Sequence, residues 1–343
     1  MAKINGKELT KQELLKRVGN PSQLCGIRKI SFEEGKARGL SAFEVKTGSG
    51  FCFTIAADKC MDILEASYKG VNLSFLGKAG PTAPQYYNSF ENEFGQTMTG
   101  GLMFTCGLQN SGGGCRDNQG VWHSPHGRAA FIPAEQAYGK SYWSGDDLVI
   151  EAGGVMRENL LFGHNLSLTR KITAKAGENK FILHDTLENL AAEPNEFIIL
   201  YHFNLGYPML DEMTKLILPE DTESSARTEA AEKGIDKRFE FSAPIDGFFE
   251  HCFFHVVKGD DGFAEAKVEN PSLGFGISLK YSVDTLPILT EWKSMRSGDY
   301  ALGLEPGNGW LCGRKLEQDN GTIQTIAPFS KIEYTLEFSV YDL

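Results

Sequence analysis

The chain has 343 residues, with 45 acidic and 34 basic side chains and a formal net charge of −11 at pH 7. This negative balance, without a sustained cluster of Lys and Arg, argues against a nucleic-acid partner, because phosphate binding needs a basic surface. Hydrophobic residues make up 41% of the chain and charged residues 23%, which is typical of a globular protein with a large core and not of a disordered chain.

The N-terminus and the cysteines predict a cytoplasmic protein. The N-terminal segment is charged throughout and lacks the apolar centre of a secretion signal, and no later run is long enough to be a membrane span. Seven cysteines at scattered positions favour reduced thiols over a disulfide framework. The set Cys106, Cys115, His123 and His126 lacks the short paired spacings of zinc sites, so we expect no metal.

One short helix is predicted first, and strands follow it. Thr10 and Glu13 form a capping-box pattern and Gly19 supplies a stop, so residues 10–18 predict a helix outside the main core. From about residue 26 onward, short runs rich in Phe, Ile, Val, Thr and Tyr are divided by Gly, Asn, Asp and Pro. The clearest of these runs are 51–57, 147–155, 165–175, 179–189, 197–207, 274–282 and 331–340.

This series of short strands without intervening helices predicts an all-β protein, a large two-sheet antiparallel β-sandwich. We expect one domain over residues 1–343, with residues 1–25 as its helical extension. The segment 219–241 is polar, charged and without a strand period, so it is predicted to be a surface excursion between strands.

A candidate acid–base pair comes from two of the strands. His202 stands in an otherwise apolar run, where a histidine is more often a hydrogen-bonded core residue than a catalyst. Glu305 shares one strand face with Ala301 and Gly303, and these small residues leave room beside its carboxylate for a ligand. The alternative for Glu305 is a solvent-exposed glutamate at a sheet edge.

Two further runs make the pattern specific. HGR (126–128), YHFNLGYP (201–208), FEHCFFH (249–255) and GLEPGN (303–308), in this order, resemble the aldose 1-epimerase (galactose mutarotase-like) superfamily. The runs GGLMFTCGL (100–108) and DKCMDI (58–63) are similar to motifs of its DUF4432 branch. The resemblance covers roughly residues 50–315, which is most of the chain.

The resemblance implies a fold and a set of roles. The fold is a supersandwich with a sugar cleft on the open face of one sheet. Glu305 corresponds to the general base and His202 to the general acid. His126 corresponds to a binding residue that assists at the ring oxygen, and Glu250 to the acid that binds sugar hydroxyls. We expect these four residues to converge on one cleft.

One departure from the family pattern concerns a cation. The well-studied mutarotases carry an Arg upstream of the first His, and none stands in the matching segment 101–110, which ends at Asn110. Arg128 and Lys59 are the candidates to replace it, and Asn110 is a further candidate for sugar binding. Trp292, like Trp122 and Trp310, could stack on a pyranose, although core packing is the commoner role of a tryptophan.

The expected function is interconversion of sugar anomers by acid–base ring opening, with a small carbohydrate as the partner and a monomer or homodimer as the assembly. His202 and Glu305 are then expected to lie about one sugar ring apart, on the order of five to eight ångströms by analogy with glycosidase carboxyl groups. A nearby carboxylate is expected to keep His202 protonated. The chemistry requires no metal or other cofactor. A non-catalytic carbohydrate-binding protein and an isomerase or epimerase acting at another sugar carbon are the alternatives.

Overall fold

The computed structural model describes residues 2–4 and 6–343, and strands dominate this part of the chain. The strands, in chain order, are β1 (Ala2–Ile4), β2 (Lys7–Leu9), β3 (Gly26–Ser31), β4 (Ser41–Lys46), β5 (Phe51–Ala56), β6 (Asp62–Tyr68), β7 (Val71–Asn72), β8 (Met103–Leu108), β9 (Cys115–Arg116), β10 (Trp122–His123), β11 (Glu135–Ser144), β12 (Asp147–Asn159), β13 (Asn165–Lys175), β14 (Lys180–Asn189), β15 (Asn195–Leu205), β16 (Lys215–Ile217), β17 (Glu223–Ala226), β18 (His251–Val256), β19 (Phe263–Asn270), β20 (Phe275–Ser282), β21 (Ile288–Arg296), β22 (Asp299–Gly307), β23 (Gln324–Ile326) and β24 (Lys331–Asp342). The helices are α1 (Lys11–Leu15), α2 (Glu229–Glu232) and α3 (Arg314–Asn320), with short 3-10 turns at Pro21–Gln23, Gly35–Ala37, Pro84–Tyr86, Glu91–Gln96, Ala129–Phe131 and Ile235–Lys237.

Two large antiparallel sheets form the body of the protein. Sheet I has eight strands in the order β11-β12-β13-β14-β24-β20-β19-β16. Sheet II has twelve strands, along the path β17-β18-β21-β22-β15-β8-β6-β5-β4-β3, with β23 beside β15 and β7 beside β6. The all-β fold of two antiparallel sheets that the sequence predicts is confirmed. No helix of the described chain is long and apolar enough to cross a membrane.

The two sheets bury one continuous core between them. Aromatic rings from both sheets meet there: Phe53 lies 5.1 Å from Phe181, and Phe203 lies 5.9 Å from Phe338, between ring centroids. Each such buried ring contributes about 1.5 to 3 kcal/mol to stability. Because side chains alternate along a strand, packing Phe203 inward directs its neighbour His202 to the other face of sheet II.

A buried ionic network holds β15 from the core side of sheet II. Arg170 Nη1 lies 2.8 Å from Asp62 Oδ1, and Arg170 Nη2 lies 2.7 Å from Asp185 Oδ2. The hydroxyls of Thr105 and Tyr201 complete it, since Arg170 Nη2 donates to Thr105 Oγ1 at 3.0 Å and Tyr201 Oη donates to Asp185 Oδ2 at 2.8 Å. These charges are stable in the core because each has partners. They also hold Tyr201 on the core face, next to His202.

The N-terminal region packs separately from this core. Helix α1 begins after Thr10, whose side chain forms the predicted capping box with Glu13, but it ends at Leu15 and not at residue 18. A hairpin of β1 and β2 precedes it and was not predicted. The small apolar cluster of this region consists of Ile4, Leu9, Leu14, Val18, Cys25, Leu148 and Ala176. The helix therefore lies outside the main core, as the sequence indicated.

The segment 219–241 is only partly the surface excursion that was predicted. Residues Glu223–Ala226 form β17, which pairs with β18 and is the end strand of sheet II. Helix α2 follows it. A four-residue strand paired on one side buries little, so it has no apolar alternation for sequence analysis to detect.

Candidate active site on the open face of sheet II

The open face of sheet II brings His202 and Glu305 into contact. Strands β15 and β22 are neighbours, with Phe203 opposite Leu304 and Asn204 opposite Gly303. Phe203 and Leu304 point into the core, so His202 and Glu305 point away from it. The Nε2 atom of His202 lies 3.0 Å from Oε1 of Glu305.

Gly303 makes room for this contact. A Cβ atom at position 303 would lie 2.5 Å from Oε1 of Glu305 and 3.3 Å from Cε1 of His202. A side chain here would force the carboxylate to move and would also press on Cβ of Trp292 at 2.9 Å, so glycine allows the carboxylate its position over the strand. The small residue beside Glu305 therefore has a steric purpose in the site.

The pair is buried without its full set of hydrogen bonds. His202 is 3% exposed and Glu305 is 0% exposed. Among the described residues, neither carboxylate oxygen of Glu305 has a hydrogen-bond partner, and nor does Nδ1 of His202. Buried polar atoms are nearly always hydrogen-bonded in folded proteins. Groups left unsatisfied on an open sheet face indicate a place for a ligand.

Burial sets the protonation of both groups. It raises the pKa of Glu305 well above its usual value, while the charge of Arg227 lowers that pKa and Glu250 raises it further. Burial also lowers the pKa of His202 well below its usual value, and His126 adds to this shift. Desolvation therefore opposes the protonated form of His202 that the sequence analysis expected. A buried pair in contact is most stable with one proton between its two members, since two protons or none would leave a net charge in the core.

The expected separation of five to eight ångströms was wrong. That expectation took its scale from enzymes whose two carboxyl groups flank a sugar from opposite faces. In ring opening, both protons move at oxygens bonded to the same carbon, the anomeric hydroxyl and the ring oxygen. A side-by-side acid and base can reach both, so a 3.0 Å contact between Nε2 and Oε1 is compatible with the chemistry.

His126 lies beside the pair. Its ring centroid is 5.7 Å from that of His202, and its Nδ1 is 3.2 Å from Sγ of Cys106 on β8. Its backbone has a φ of 55°, a left-handed conformation that is uncommon for a residue other than glycine and turns the side chain toward the sheet. Burial, followed by the charge of Arg227, lowers the pKa of His126 to about 4, so the imidazole is neutral at physiological pH.

Trp292 and Glu250 connect the pair to an open cleft. The indole Nε1 of Trp292 donates to Oε2 of Glu250 at 2.7 Å, and its ring centroid is 5.5 Å from that of His202. The cleft has a volume of about 380 Å³. Its lining consists of Phe75, Gly77, Lys78, Gly95, Met98, Phe248, Phe249, Glu250, Trp292, Ser294, Arg296 and Asp299. The His202–Glu305 pair does not line it but lies behind Trp292.

Three of the predicted binding residues lie elsewhere. The amide of Asn110 is fully used by loops, since it donates to the carbonyls of residues 113 and 124 and accepts from the N–H of residue 314. Lys59 is 2% exposed and places its Nζ 4.1 Å from the ring of Phe131, in packed surroundings that lower its pKa to about 8. Arg128 is exposed and lines a separate cavity of about 170 Å³ with Gln109 and Glu158. The structure brings none of the three to the His202–Glu305 pair.

Arg227 is the charged residue that sequence analysis missed. It follows β17, in the segment predicted to be a surface excursion, and its backbone N–H donates to the carbonyl of Cys252 at 2.9 Å. Its Nη1 lies 3.7 Å from Sγ of Cys252. The only sequence signal was indirect: the family pattern calls for a cation, and none stands at the expected position.

Metal binding has no visible basis in this region. Although Cys106 and His126 are in contact, no group of three or more His, Cys, Asp or Glu side chains in the described chain is placed to hold a metal ion. All seven cysteines lie in the described part and are free thiols.

The fold is shared with sugar-related proteins of known structure. A protein of Klebsiella pneumoniae provisionally named an aldose 1-epimerase superposes with a TM-score of 0.86 at 22% identity, over 92% of this chain and 83% of that one. A galactose mutarotase-like protein of Clostridium acetobutylicum gives 0.63 at 14% identity, over 94% and 100%. Galactose 1-epimerase of Lactobacillus acidophilus gives 0.56 at 15% identity, over 92% and 98%. The fold is thus that of the galactose mutarotase-like proteins.

The family follows from the sequence profile. Residues 37–340 match the family described as "Domain of unknown function (DUF4432)". This covers most of the chain, which therefore belongs to the DUF4432 family, as the motifs had indicated. No curated protein is significantly similar to it.

Proposed function

We propose that this protein is an aldose 1-epimerase-like isomerase that interconverts the anomers of a free sugar. The observation that carries the proposal is the His202–Glu305 pair, in which an acid and a base lie 3.0 Å apart, buried and otherwise unpartnered, on the open face of sheet II. Perturbed pKa values at a pair beside a cleft are typical of acid–base sites.

The chemistry needs one proton to leave the anomeric hydroxyl and one to reach the ring oxygen. In the reactive state the shared proton resides on His202, and Glu305 is a carboxylate. Glu305 accepts the hydroxyl proton, His202 donates to the ring oxygen, and the bond between the anomeric carbon and the ring oxygen breaks to give the open aldehyde. Rotation and reclosure in the reverse sense give the other anomer. Each positioned proton transfer accelerates the reaction by about 10² to 10⁴.

The neighbouring residues hold the sugar. His126, neutral at physiological pH, can hydrogen-bond the sugar near its ring oxygen. The exposed carboxylate of Glu250 suits sugar hydroxyls, and the indole of Trp292 suits the apolar face of a pyranose. Both side chains line the cleft, so the sugar would enter past them.

A second candidate is a carbohydrate-binding protein without turnover. The observation that favours it is the low exposure of the pair, 3% for His202 and 0% for Glu305. A sugar can reach neither group unless Trp292 or its neighbours move.

Saturation-transfer NMR on the native protein with a panel of free aldoses separates the candidates. We expect magnetisation to pass between the α and β anomeric protons of at least one sugar faster than in buffer. Binding without exchange for every sugar would support the carbohydrate-binding protein. New resonances from a different sugar would identify an isomerase or epimerase acting at another carbon.

A further inference from the structure

Arg227 is positioned on the open face of sheet II, directed toward the candidate pair. Its backbone is tied to β18 at Cys252, and Cys252 lies opposite Trp292 on β21. Trp292 in turn lies opposite Gly303 on β22, beside Glu305. The guanidinium reaches Sγ of Cys252, a residue on the same face as Trp292, so it stands over this row of the sheet.

The guanidinium of Arg227 has no carboxylate partner. Within the residues that the structure describes, no Asp or Glu lies within ion-pair distance of it, and its one side-chain hydrogen bond goes to the weak sulfur acceptor at 3.7 Å. The two more deeply buried arginines differ: Arg170 pairs with Asp62 and Asp185, and Arg314 pairs with Glu196. A half-buried arginine with free donors is suited to binding oxygen atoms of a ligand in a forked geometry.

The charge of Arg227 acts on groups from separate parts of the chain. After burial, it is the largest influence on the pKa of Glu305 and on that of His126, and it lowers both. It also lowers the pKa of Cys252 and of Cys312. These groups come from β22, β18 and two loops, so the guanidinium lies at the point where these elements meet.

We propose that Arg227 is the substrate-contacting cation of this site, the role that the sequence had suggested for Arg128 or Lys59. The identity of the substrate as a free sugar rests on the proposed function. Arg227 would donate to the oxygen on the anomeric carbon and stabilise the negative charge that develops there as its proton passes to Glu305. It would also favour the carboxylate form of Glu305, which the reaction requires and burial opposes.

The test compares Arg227→Gln, Arg227→Lys and the control Arg128→Gln in the full chain. Glu305 is followed by its ¹³C-labelled side-chain carboxyl resonance and His126 by its imidazole resonances, both titrated with pH. The other titratable groups around Glu305 are His202, Glu250, and the thiols of Cys106 and Cys252, and all are unchanged in these variants. Affinity for D-galactose and the other aldoses of the panel, and kcat/KM where exchange occurs, are measured alongside.

The expected signature is directional. Because the charge of Arg227 lowers both pKa values, Arg227→Gln raises the titration midpoints of Glu305 and of His126, Arg227→Lys leaves them near the native values, and Arg128→Gln changes neither. Arg227→Gln also weakens sugar affinity or kcat/KM about 10- to 100-fold, the factor that corresponds to one hydrogen bond to a charged group. Arg227→Lys recovers part of this loss.

Two results would overturn the proposal. Unchanged midpoints and unchanged affinity in Arg227→Gln would show that the guanidinium does not face the site. A merely structural role would lower the midpoint of Glu305 while still raising that of His126, because water entering a loosened site moves both toward their usual values, so the direction of the Glu305 shift decides. Absence of anomer exchange in the native protein would contradict the proposed function and leave the titration and affinity arms to decide the role of Arg227.

Discussion

Sheet II contains two buried His–Glu pairs, one on each face, and they differ in what surrounds them. On the open face, His202 Nε2 lies 3.0 Å from Glu305 Oε1, across β15 and β22. On the covered face, His255 Nε2 lies 3.1 Å from Glu291 Oε2, across β18 and β21. Residue types, distance and burial are nearly the same in the two pairs. Burial raises the pKa of both glutamates.

The covered pair is packed and more fully partnered, with one unsatisfied atom, Oε1 of Glu291, among the described residues. The Nδ1 atom of His255 is hydrogen-bonded with the hydroxyl of Ser224 at 2.9 Å, and the ring lies 5.8 Å from that of Phe239. On the open face, Nδ1 of His202 and both carboxylate oxygens of Glu305 have no hydrogen-bond partner in the described part of the chain, and the ring neighbours of His202 include His126 and Trp292 beside the cleft. The comparison teaches that a close His–Glu contact does not by itself mark a site. The open-face pair differs in having three unsatisfied atoms against one, and in lying beside a cleft.

The sharpest test of this comparison replaces one glutamate in each pair. Glu305→Gln should reduce anomer exchange by at least about 10³-fold with sugar binding largely intact, because the amide keeps the shape but cannot accept a proton. Glu291→Gln should leave turnover near the native rate and lower only the free energy of unfolding. Saturation-transfer NMR and urea denaturation measure the two effects. In the same way, His202→Asn should reduce anomer exchange, and His255→Asn should lower only the free energy of unfolding.

Native exchange rates in Glu305→Gln would remove Glu305 from the mechanism. Loss of turnover in Glu291→Gln with an unchanged free energy of unfolding would mean that the covered pair is the reactive one.

A smaller effect on activity is expected from replacing Trp292, which lies between the cleft and the open-face pair. Trp292→Phe keeps a ring beside His202 but removes the N–H donated to Glu250 Oε2 at 2.7 Å. We expect KM to rise about tenfold, the scale of one lost hydrogen bond to a charged group, with a much smaller change in kcat. Trp143→Phe, at a tryptophan that packs against the N-terminal cluster, is the matched control. A fall in kcat alone would place Trp292 in the chemical step.

The shared proton of the open-face pair predicts a pH dependence of stability. The raised pKa of Glu305 and the lowered pKa of His202 keep one proton on the folded pair across the neutral range. The unfolded chain also binds one proton there between about pH 4.3 and 6.5, but loses its histidine proton above about pH 6.5. The folded state then binds more protons, so the contribution of the pair to stability falls as pH rises, by up to about 1.4 kcal/mol per unit.

The measurement is urea denaturation from pH 5 to 8 of the native protein and of the double variant His202→Asn with Glu305→Gln. Titration of groups that do not interact with the pair cancels in the difference between the two curves. We expect that difference to be flat at low pH and to fall above about pH 6.5. A difference that rises with pH would show that the folded pair holds no proton at neutral pH.

The contrast between the two pairs also shows what a sequence can and cannot predict. Alternation along β22 places Glu305 and Gly303 on one face, and alternation along β15 separates His202 from Phe203, so the strands and their faces follow from local pattern. The sequence does not contain the register between distant strands, which sets the 3.0 Å contact. Nor does it contain the environment that separates His202 from His255, since both occupy apolar runs.

The position of a cation near the pair could not be predicted for a related reason. Arg128 stands in a recognisable motif but, two residues after His126, points to a different cavity. Arg227 stands in a polar segment without a pattern, yet pairing of β17 with β18 carries it to the open face. Charges on edge strands and loops are positioned by tertiary contacts, which a single sequence does not display.

The smallest effect is predicted for Arg128→Gln. The exposed guanidinium makes one long hydrogen bond, from Nη2 to Ser89 Oγ at 3.4 Å, and lines the separate cavity of about 170 Å³. An exposed charge without an ion-pair partner contributes little to stability, and Arg128 makes no contact with the open-face pair. We therefore expect kcat and KM to stay near their native values and the free energy of unfolding to stay within about 0.5 kcal/mol of the native value. The earlier hypothesis, in which Arg128 replaces the absent family arginine, predicts instead a rise in KM with kcat preserved. Anomer-exchange kinetics at several sugar concentrations distinguish the two, and a tenfold rise in KM would mean that the substrate extends from the cleft past the loop of His126 to this second cavity.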